Sequence, residues 1–282
     1  ARSARLMVDS LRSFGGDYQN SPVWVFAARQ TEREARRLDS LHDTRMILLD
    51  DVESPAAYLF ARKVHACAQA EALAECETLV WLNPECLILA PPQYFDLGAE
   101  FAAAFRPVHH TNIGSPLNQP PDVFWQGIYR AAGVTEASYA VETFADRQLI
   151  RPYFNTHCFA VKRSLGLFTA WQDRFDRLVV DEQFQASACQ DIRRKVFLHQ
   201  AVLSALVMKM VDQKKLHILP ETYSYPLHMH HLLPAGKQAE RINELVCAVY
   251  EDEFRYPETL NGLPAQGRLE NWFRTHTGEN SA

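Results

Sequence analysis

The chain has 282 residues, of which 47% are hydrophobic and 22% charged, with a formal net charge of −5. That composition excludes a disordered or fibrous chain, and the negative balance argues against a general affinity for nucleic acid. No apolar run approaches the ~20 residues of a membrane span, and six cysteines without CxxC spacing read as buried thiols of a reducing compartment, so the expected location is cytoplasmic.

In chain order, Ala4, Met7, Val8, Leu11 and Phe14 recur at helical spacing and predict a first helix closed by Gly15-Gly16. "PVWVF" predicts a buried strand. "TEREARRLDSL" predicts a helix, with Thr31 and Glu34 in capping-box register. "MILLD" is a second strand, followed by Asp50-Asp51, which read as solvated loop acids. Ser54-Pro55 has the pattern of an N-cap followed by proline at the first helical position. It starts a long alanine-rich helix to about Cys76, and "TLVWL" is the third strand. Strand and helix alternate, so the N-terminal half is a parallel α/β sheet with helices on its faces. In such sheets ligands bind beyond the carboxyl ends of the strands. There the stretch "LVWLNPECLIL" is interrupted by Asn83-Pro84-Glu85.

The second half is mixed. "DVFWQGIYRAAG" predicts a helix with Asp122 as cap and Gly133 as stop. "ASYAVETF" and "RQLIRPYF" predict two strands joined by a turn at Ala145-Asp146, and "CFAVK" a further strand. "LGLFTAWQDRFDRLV" and "VFLHQAVLSALVMKMV" are amphipathic to fully apolar helices, and "LHILP" is a short strand. The domain reading is one α/β domain over 1–235 with an extension over 236–282 packed on it.

Four segments in this order resemble the GT-A glycosyltransferases. "ARKVHACAQAEALAECETLVWLNPECLIL" is similar to their Lys-bearing helix leading into a strand that ends in Asp-x-Asp. "YFNTHCFAVKRSLGLFTAWQDRF" is similar to their FN-x-G strand and following helix. "FLHQAVLSALV" stands where they carry Asp-Gln, and "HILPETYSYPLH" resembles their LP-x-x-Y-N strand. The resemblance covers roughly residues 55–230 and is nearest to the glycogenin-like, nucleotide-diphospho-sugar-using members. It implies a mixed central sheet flanked by helices and transfer of a sugar, with UDP as the expected carrier, to an acceptor hydroxyl. The Asp-x-Asp of the family is Asn83-Pro84-Glu85 here. One carboxylate is lost and the other is a methylene longer, so the divalent metal the resemblance implies, Mn²⁺ or Mg²⁺, is expected to bind more weakly. The family's FN-x-G glycine is His157, and its Asp-Gln is His199-Gln200.

Asn83 and Glu85 alternate and can face one side of an extended segment. They are metal and diphosphate contacts on one reading and an ordinary strand-end turn on the other. Lys63 is a phosphate contact or a solvated helix residue. There are 11 histidines, and those at expected strand and loop ends are candidates for a pocket. His228 and His230 would share one side of a strand and complete the metal set, or bond backbone carbonyls. "FRPVHHTNIGSP" presents Arg106, His109 and His110 to a sugar or is a connecting loop. Asn155, His157, His199 and Gln200 line the sugar pocket by the resemblance. Glu142 and Asp146 are the candidate carboxylates for deprotonating the acceptor, and the residues do not choose between them. Asp122 reads as a helix cap and Trp125 as core. G-x-S-x-G, P-loop and G-x-G-x-x-G motifs are missing, which removes the common hydrolase, NTPase and dehydrogenase readings. The leading expectation is a glycosyltransferase with a nucleotide-sugar donor and an unidentified acceptor. The alternatives are a non-catalytic relative that binds a sugar, nucleotide or partner in a His-lined cleft, and a nucleotidyltransferase, whose Gly-rich N-terminal loop is not found.

Overall fold

The computed structural model describes residues 2–49 and 58–277. Asp50-Asp51 and the expected helix start at Ser54-Pro55 lie outside the described residues. In chain order the elements are α1 (Arg2–Phe14), β1 (Val23–Ala27), α2 (Glu32–Ala35), β2 (Thr44–Leu48), α3 (Ala61–Leu73), β3 (Thr78–Leu82), β4 (Cys86–Ile88), β5 (Ala103–Phe105) and α4 (Val123–Ala132). Then come β6 (Val141–Glu142), β7 (Leu149–Ile150), β8 (Cys158–Lys162), α5 (Leu167–Val180), α6 (Glu182–Ala188), α7 (Ile192–Met210), β9 (Leu216–Ile218), β10 (Tyr225–Pro226), β11 (Cys247–Val249) and α8 (Gly267–Thr277). They group into two units, one made of Leu49–Trp81 and Leu97–Ile218, the other of Ala1–Leu48, Leu82–Asp96 and Leu219–Ala282.

The first unit is built on a sheet of order β3-β8-β5-β9. β5 runs antiparallel to β8 and parallel to β9. Its three residues, Ala103, Ala104 and Phe105, are fully buried, as an unbroken apolar run in a central strand requires. Helices α3, α4, α5 and α7 pack against one another beside this sheet. From Leu198 to Met208 every residue of α7 is buried, so this part of the helix is enclosed on all sides, with His199, Gln200 and Ser204 as polar residues in an otherwise apolar run. α4 starts where Asp122 accepts from the Trp125 amide at 3.0 Å and stops at Gly133, whose φ of 69° is the left-handed turn that glycine takes without strain. The second Asp122 oxygen accepts from Arg194 at 2.7 Å, so Asp122 is the expected cap and, beyond that, an interhelix anchor.

The second unit holds a parallel pair, β1 with β2, and a three-stranded sheet of order β10-β11-β4. β11 runs antiparallel to β4 with Val249 opposite Cys86. α1 lies on β4 through buried Ser10, whose hydroxyl donates to the Met7 carbonyl (2.7 Å) and accepts from the Ile88 amide (3.0 Å). The strand β11 comes from the stretch after residue 236.

Several expected bounds shift. "TEREARRLDSL" is not one helix: α2 covers four residues between 3₁₀ turns at Arg29–Thr31 and Arg36–Ser40. The Thr31 hydroxyl donates backward to the Ala28 carbonyl at 3.0 Å instead of capping α2. α3 ends at Leu73, short of Cys76. The strands around Ala145-Asp146 shrink to the two-residue pair β6 and β7.

Candidate functional site

The first unit collects a buried polar cluster around Thr156. Lys63 stands in the first turn of α3 and is 7% exposed. A cation at a helix N-terminus meets the positive end of the helix dipole, so its position needs acceptors from elsewhere. Thr156 supplies two, its carbonyl at 3.1 Å and its hydroxyl at 3.3 Å from Nζ. The ammonium also lies 4.9 Å from the Phe60 ring centre and 5.9 Å from that of Trp81, where the ring faces favour positive charge.

The Thr156 hydroxyl is 3.2 Å from His199 Nε2 and 3.3 Å from Gln200 Oε1. His199 Nδ1 is 2.9 Å from the Val196 carbonyl. A carbonyl only accepts, so Nδ1 carries the proton and Nε2 accepts from Thr156. Burial, then the neighbouring Lys63 cation, holds the His199 pKa well below its ordinary 6.5. His199 is therefore neutral in the folded protein. The unfolded chain takes up a proton near pH 6.5 and the folded one does not, so stability is complete above that value and falls as pH drops below it. Burial also lowers His230 and His217, in the same direction. We expect the urea midpoint to be lower at pH 5.5 than at 7.5, with up to about 1.4 kcal/mol per pH unit from His199 alone. His199→Gln should flatten that dependence; an unchanged profile would show that His199 is not the group responsible.

A second group is aligned by backbone. Past β5 the chain keeps pairing: Asn155 N donates to the Arg106 carbonyl (2.8 Å), Val108 N to Tyr153 (3.2 Å) and Ala145 N to His109 (2.7 Å). This ladder sets Arg106, His109 and Asn155 side by side, all buried. Asn155 Oδ1 accepts from the His157 amide at 2.8 Å, and its Nδ2 lies 3.4 Å from His109 Nε2. The His109 and His157 rings are 5.8 Å apart, and the Arg106 guanidinium lies 4.1 Å over the Phe144 ring.

The two candidate carboxylates differ. Asp146 accepts from the Thr111 amide at 3.0 Å and from the Thr143 hydroxyl. Burial pushes its pKa up, but those bonds and the charge of His110 together bring it below the ordinary carboxylate value. Such a group holds the β6–β7 turn and is a weak base. Glu142, on β6, is exposed and paired with Arg147 at 3.2 Å.

In the second unit Asn83-Pro84-Glu85 forms the turn into β4, closed by Cys86 N donating to the Asn83 carbonyl at 2.9 Å. Asn83 is buried and Glu85 half-buried. The pairing of β4 with β11 continues here, with Tyr250 N donating to the Glu85 carbonyl at 3.1 Å. His228 and His230 are not on a strand, as the spacing suggested. They lie in a 3₁₀ turn, Leu227–Leu232, where residues two apart point to different sides. His228 Nε2 is 3.4 Å from Glu251 Oε1, whereas His230 Nδ1 is 2.7 Å from the Tyr225 hydroxyl. That hydroxyl also accepts from the Ala239 amide at 3.0 Å. Among the described residues no group of three or more His, Cys, Asp or Glu side chains is arranged to hold a metal ion. His228 and His230 turn toward different partners, so they do not present two ligands to one ion.

Thus Lys63, His199 and Gln200 meet through Thr156, a residue no sequence pattern singled out. Arg106, His109, Asn155 and His157 form its neighbouring group. No helix among the described residues is long and apolar enough to cross a membrane.

Comparison with known proteins gives a family. The model of the Rhodobacterales glycosyltransferase domain matches residues 1–211. No curated protein matches. Among solved structures, a galactosyltransferase, LgtC, in complex with donor and acceptor sugar analogs is similar over 97% of this chain and 96% of its own, at 12% identity and a TM-score of 0.50. Mouse xyloside xylosyltransferase 1 is similar over 88% of this chain and 91% of its own, at 13% identity and a TM-score of 0.45. The first likeness shows the fold, a mixed α/β fold of the GT-A type.

Proposed function

The chain belongs to the Rhodobacterales glycosyltransferase domain family, and on that premise we propose that it transfers a sugar from a nucleotide-diphosphate donor, uridine-linked, to an acceptor hydroxyl. The observation that carries this reading is Lys63: a buried cation fixed by two acceptors of Thr156 in the helix before β3. Positive charge held in place before the reaction stabilises a leaving group as it gains negative charge. In the reaction the bond from the anomeric carbon to the diphosphate breaks, and the acceptor oxygen bonds to that carbon and loses its proton. Lys63 would offset the charge of the departing diphosphate, and Asn155, His157 and Gln200 would orient the sugar. Asp146 is consumed by its turn, so the acceptor proton is assigned to Glu142. No step is routed through a metal, since His228 and His230 turn toward different partners.

The test is binding. UDP and UDP-sugars, compared with GDP and ADP counterparts and with and without Mn²⁺, should raise the melting temperature by mass action. Lys63→Met should weaken UDP binding by about a hundredfold, the range of a lost charge-assisted phosphate contact. A shift with UDP that Lys63→Met leaves intact would remove Lys63 from the donor site. The replacement of Asp-x-Asp by Asn83-Pro84-Glu85 favours a second reading, a non-catalytic relative that binds a partner or sugar. No shift with any nucleotide would make that the better account.

A further inference from the structure

Thr156 lies between two residues already assigned to the sugar pocket, but its own side chain does something else. It is 2% exposed, and its polar atoms face the cluster. Its carbonyl and hydroxyl both bond Lys63 Nζ, and the same hydroxyl reaches His199 Nε2 at 3.2 Å and Gln200 at 3.3 Å. A hydroxyl has one proton and two lone pairs. The proton goes to His199 Nε2, because His199 Nδ1 is already committed as donor to the Val196 carbonyl at 2.9 Å. A lone pair then accepts from the Lys63 ammonium, and Gln200 Oε1, at 3.3 Å, is a second acceptor facing the hydroxyl. Each polar direction around the oxygen faces a partner, and His199 is itself held. Trp171 Nε1 donates to the His199 carbonyl at 2.7 Å, and the Phe60 ring lies 4.7 Å from the His199 ring.

We infer that Thr156 is the positioning residue of the donor site: its hydroxyl, oriented by His199, fixes the Lys63 ammonium in the place where the donor's diphosphate is held. This rests on the reading of Lys63 as the diphosphate contact. A methyl-for-hydroxyl change keeps the shape and removes the acceptor. Lys63 keeps the Thr156 carbonyl but loses the hydroxyl, and His199 loses its donor. A flexible four-carbon amine with fewer anchors samples more rotamers and presents its charge less often in the productive place.

The experiment is calorimetric titration of UDP into the full chain and its variants Thr156→Val, Thr156→Ser and Lys63→Met, each with and without Mn²⁺. Thr156→Val should bind about tenfold more weakly, the size of one lost hydrogen bond to a charged group, and Thr156→Ser should restore affinity. The ¹⁵N resonance of His199 Nε2 should move in Thr156→Val and not in Thr156→Ser, a readout that general loosening of the fold would not select. Valine with the affinity of the parent chain overturns the inference and leaves the donor reading standing. A parent chain that does not bind UDP, or Lys63→Met binding as the parent does, overturns the donor reading and this inference with it. If the valine variant does not fold, Thr156→Ala against Thr156→Ser decides the same question.

Discussion

Trp171→Ala should lower folding stability by about 4 kcal/mol, the upper range for deleting a buried aromatic side chain. Trp171 is fully buried. Its ring stands 6.4 Å from both Phe159 and Phe168 and 6.3 Å from the His199 ring. It therefore joins β8, α5 and α7, and no single neighbour can move in to fill its place. The lost hydrogen bond is the smaller part. Its acceptor, the His199 carbonyl, lies inside α7 and keeps the helical partner that every interior carbonyl has. Trp171→Phe separates the two contributions: it retains most of the ring volume and removes the N–H, and should cost about 1–2 kcal/mol. Urea denaturation of both variants measures this. Equal losses would mean that the hydrogen bond, and not the cavity, accounts for most of the destabilisation. The alanine variant should also weaken UDP binding, since the backbone of His199 carries the ring that orients Thr156.

The sequence pattern located the elements whose burial is periodic or continuous. β1, β2, β3, β8, α4, α5 and α7 stand where "PVWVF", "MILLD", "TLVWL", "CFAVK" and the three amphipathic or apolar helices were expected. Asp122 and Gly133 act as cap and stop because those roles are local, set by hydrogen bonds within three residues and by one backbone angle. Non-local structure escaped. β11 has only three residues, Cys247–Val249, and its identity as a strand comes from pairing with β4, more than 150 positions earlier. His228 and His230 do not share a face, for a related reason. A spacing of two means a shared face only if the segment is extended, and Leu227–Leu232 turns as a 3₁₀ helix instead.

The candidate site was legible in its members and not in its wiring. Lys63, His199 and Gln200 were named separately, at places far apart in the chain. That they converge on one hydroxyl is a property of the packing of α3 against α5 and of α5 against α7, which no linear pattern contains. Threonine between Asn155 and His157 reads as one small polar residue in a strand approach. Its importance comes from being 2% exposed, where each polar atom must be matched. The same reasoning explains Asp146, an acid that looked available for proton transfer but is bound at both oxygens by threonine groups.

Glu71 shows how that requirement stabilises the unit that carries the cluster. α5 begins after Gly166, whose φ is 63° and which offers no side-chain cap. The first amides of a helix have no intrahelical partner. Here the cap comes from another helix: Glu71, 6% exposed on α3, accepts from Phe168 N at 3.0 Å, Thr169 N at 2.8 Å and the Thr169 hydroxyl at 2.7 Å. A carboxylate at this end of α5 is also favoured by the helix dipole. Glu71→Ala would strand three donors, and should cost about 3 kcal/mol, within the range for unpaired buried polar groups and a lost cap. Glu71→Gln keeps one oxygen for one amide, but turns an NH₂ toward the other donors and removes the charge. It should fall between the parent chain and alanine. Chemical denaturation orders the three. If glutamine were as damaging as alanine, charge rather than acceptor count would control the cap; if alanine cost under about 1 kcal/mol, water must reach the start of α5 and replace the carboxylate. Because Glu71 and Lys63 are both carried by α3, loosening the cap should also weaken UDP binding. Thr156→Val combined with Glu71→Ala should then lose less affinity than the two separate losses added together, as expected when both act on the placement of the Lys63 ammonium.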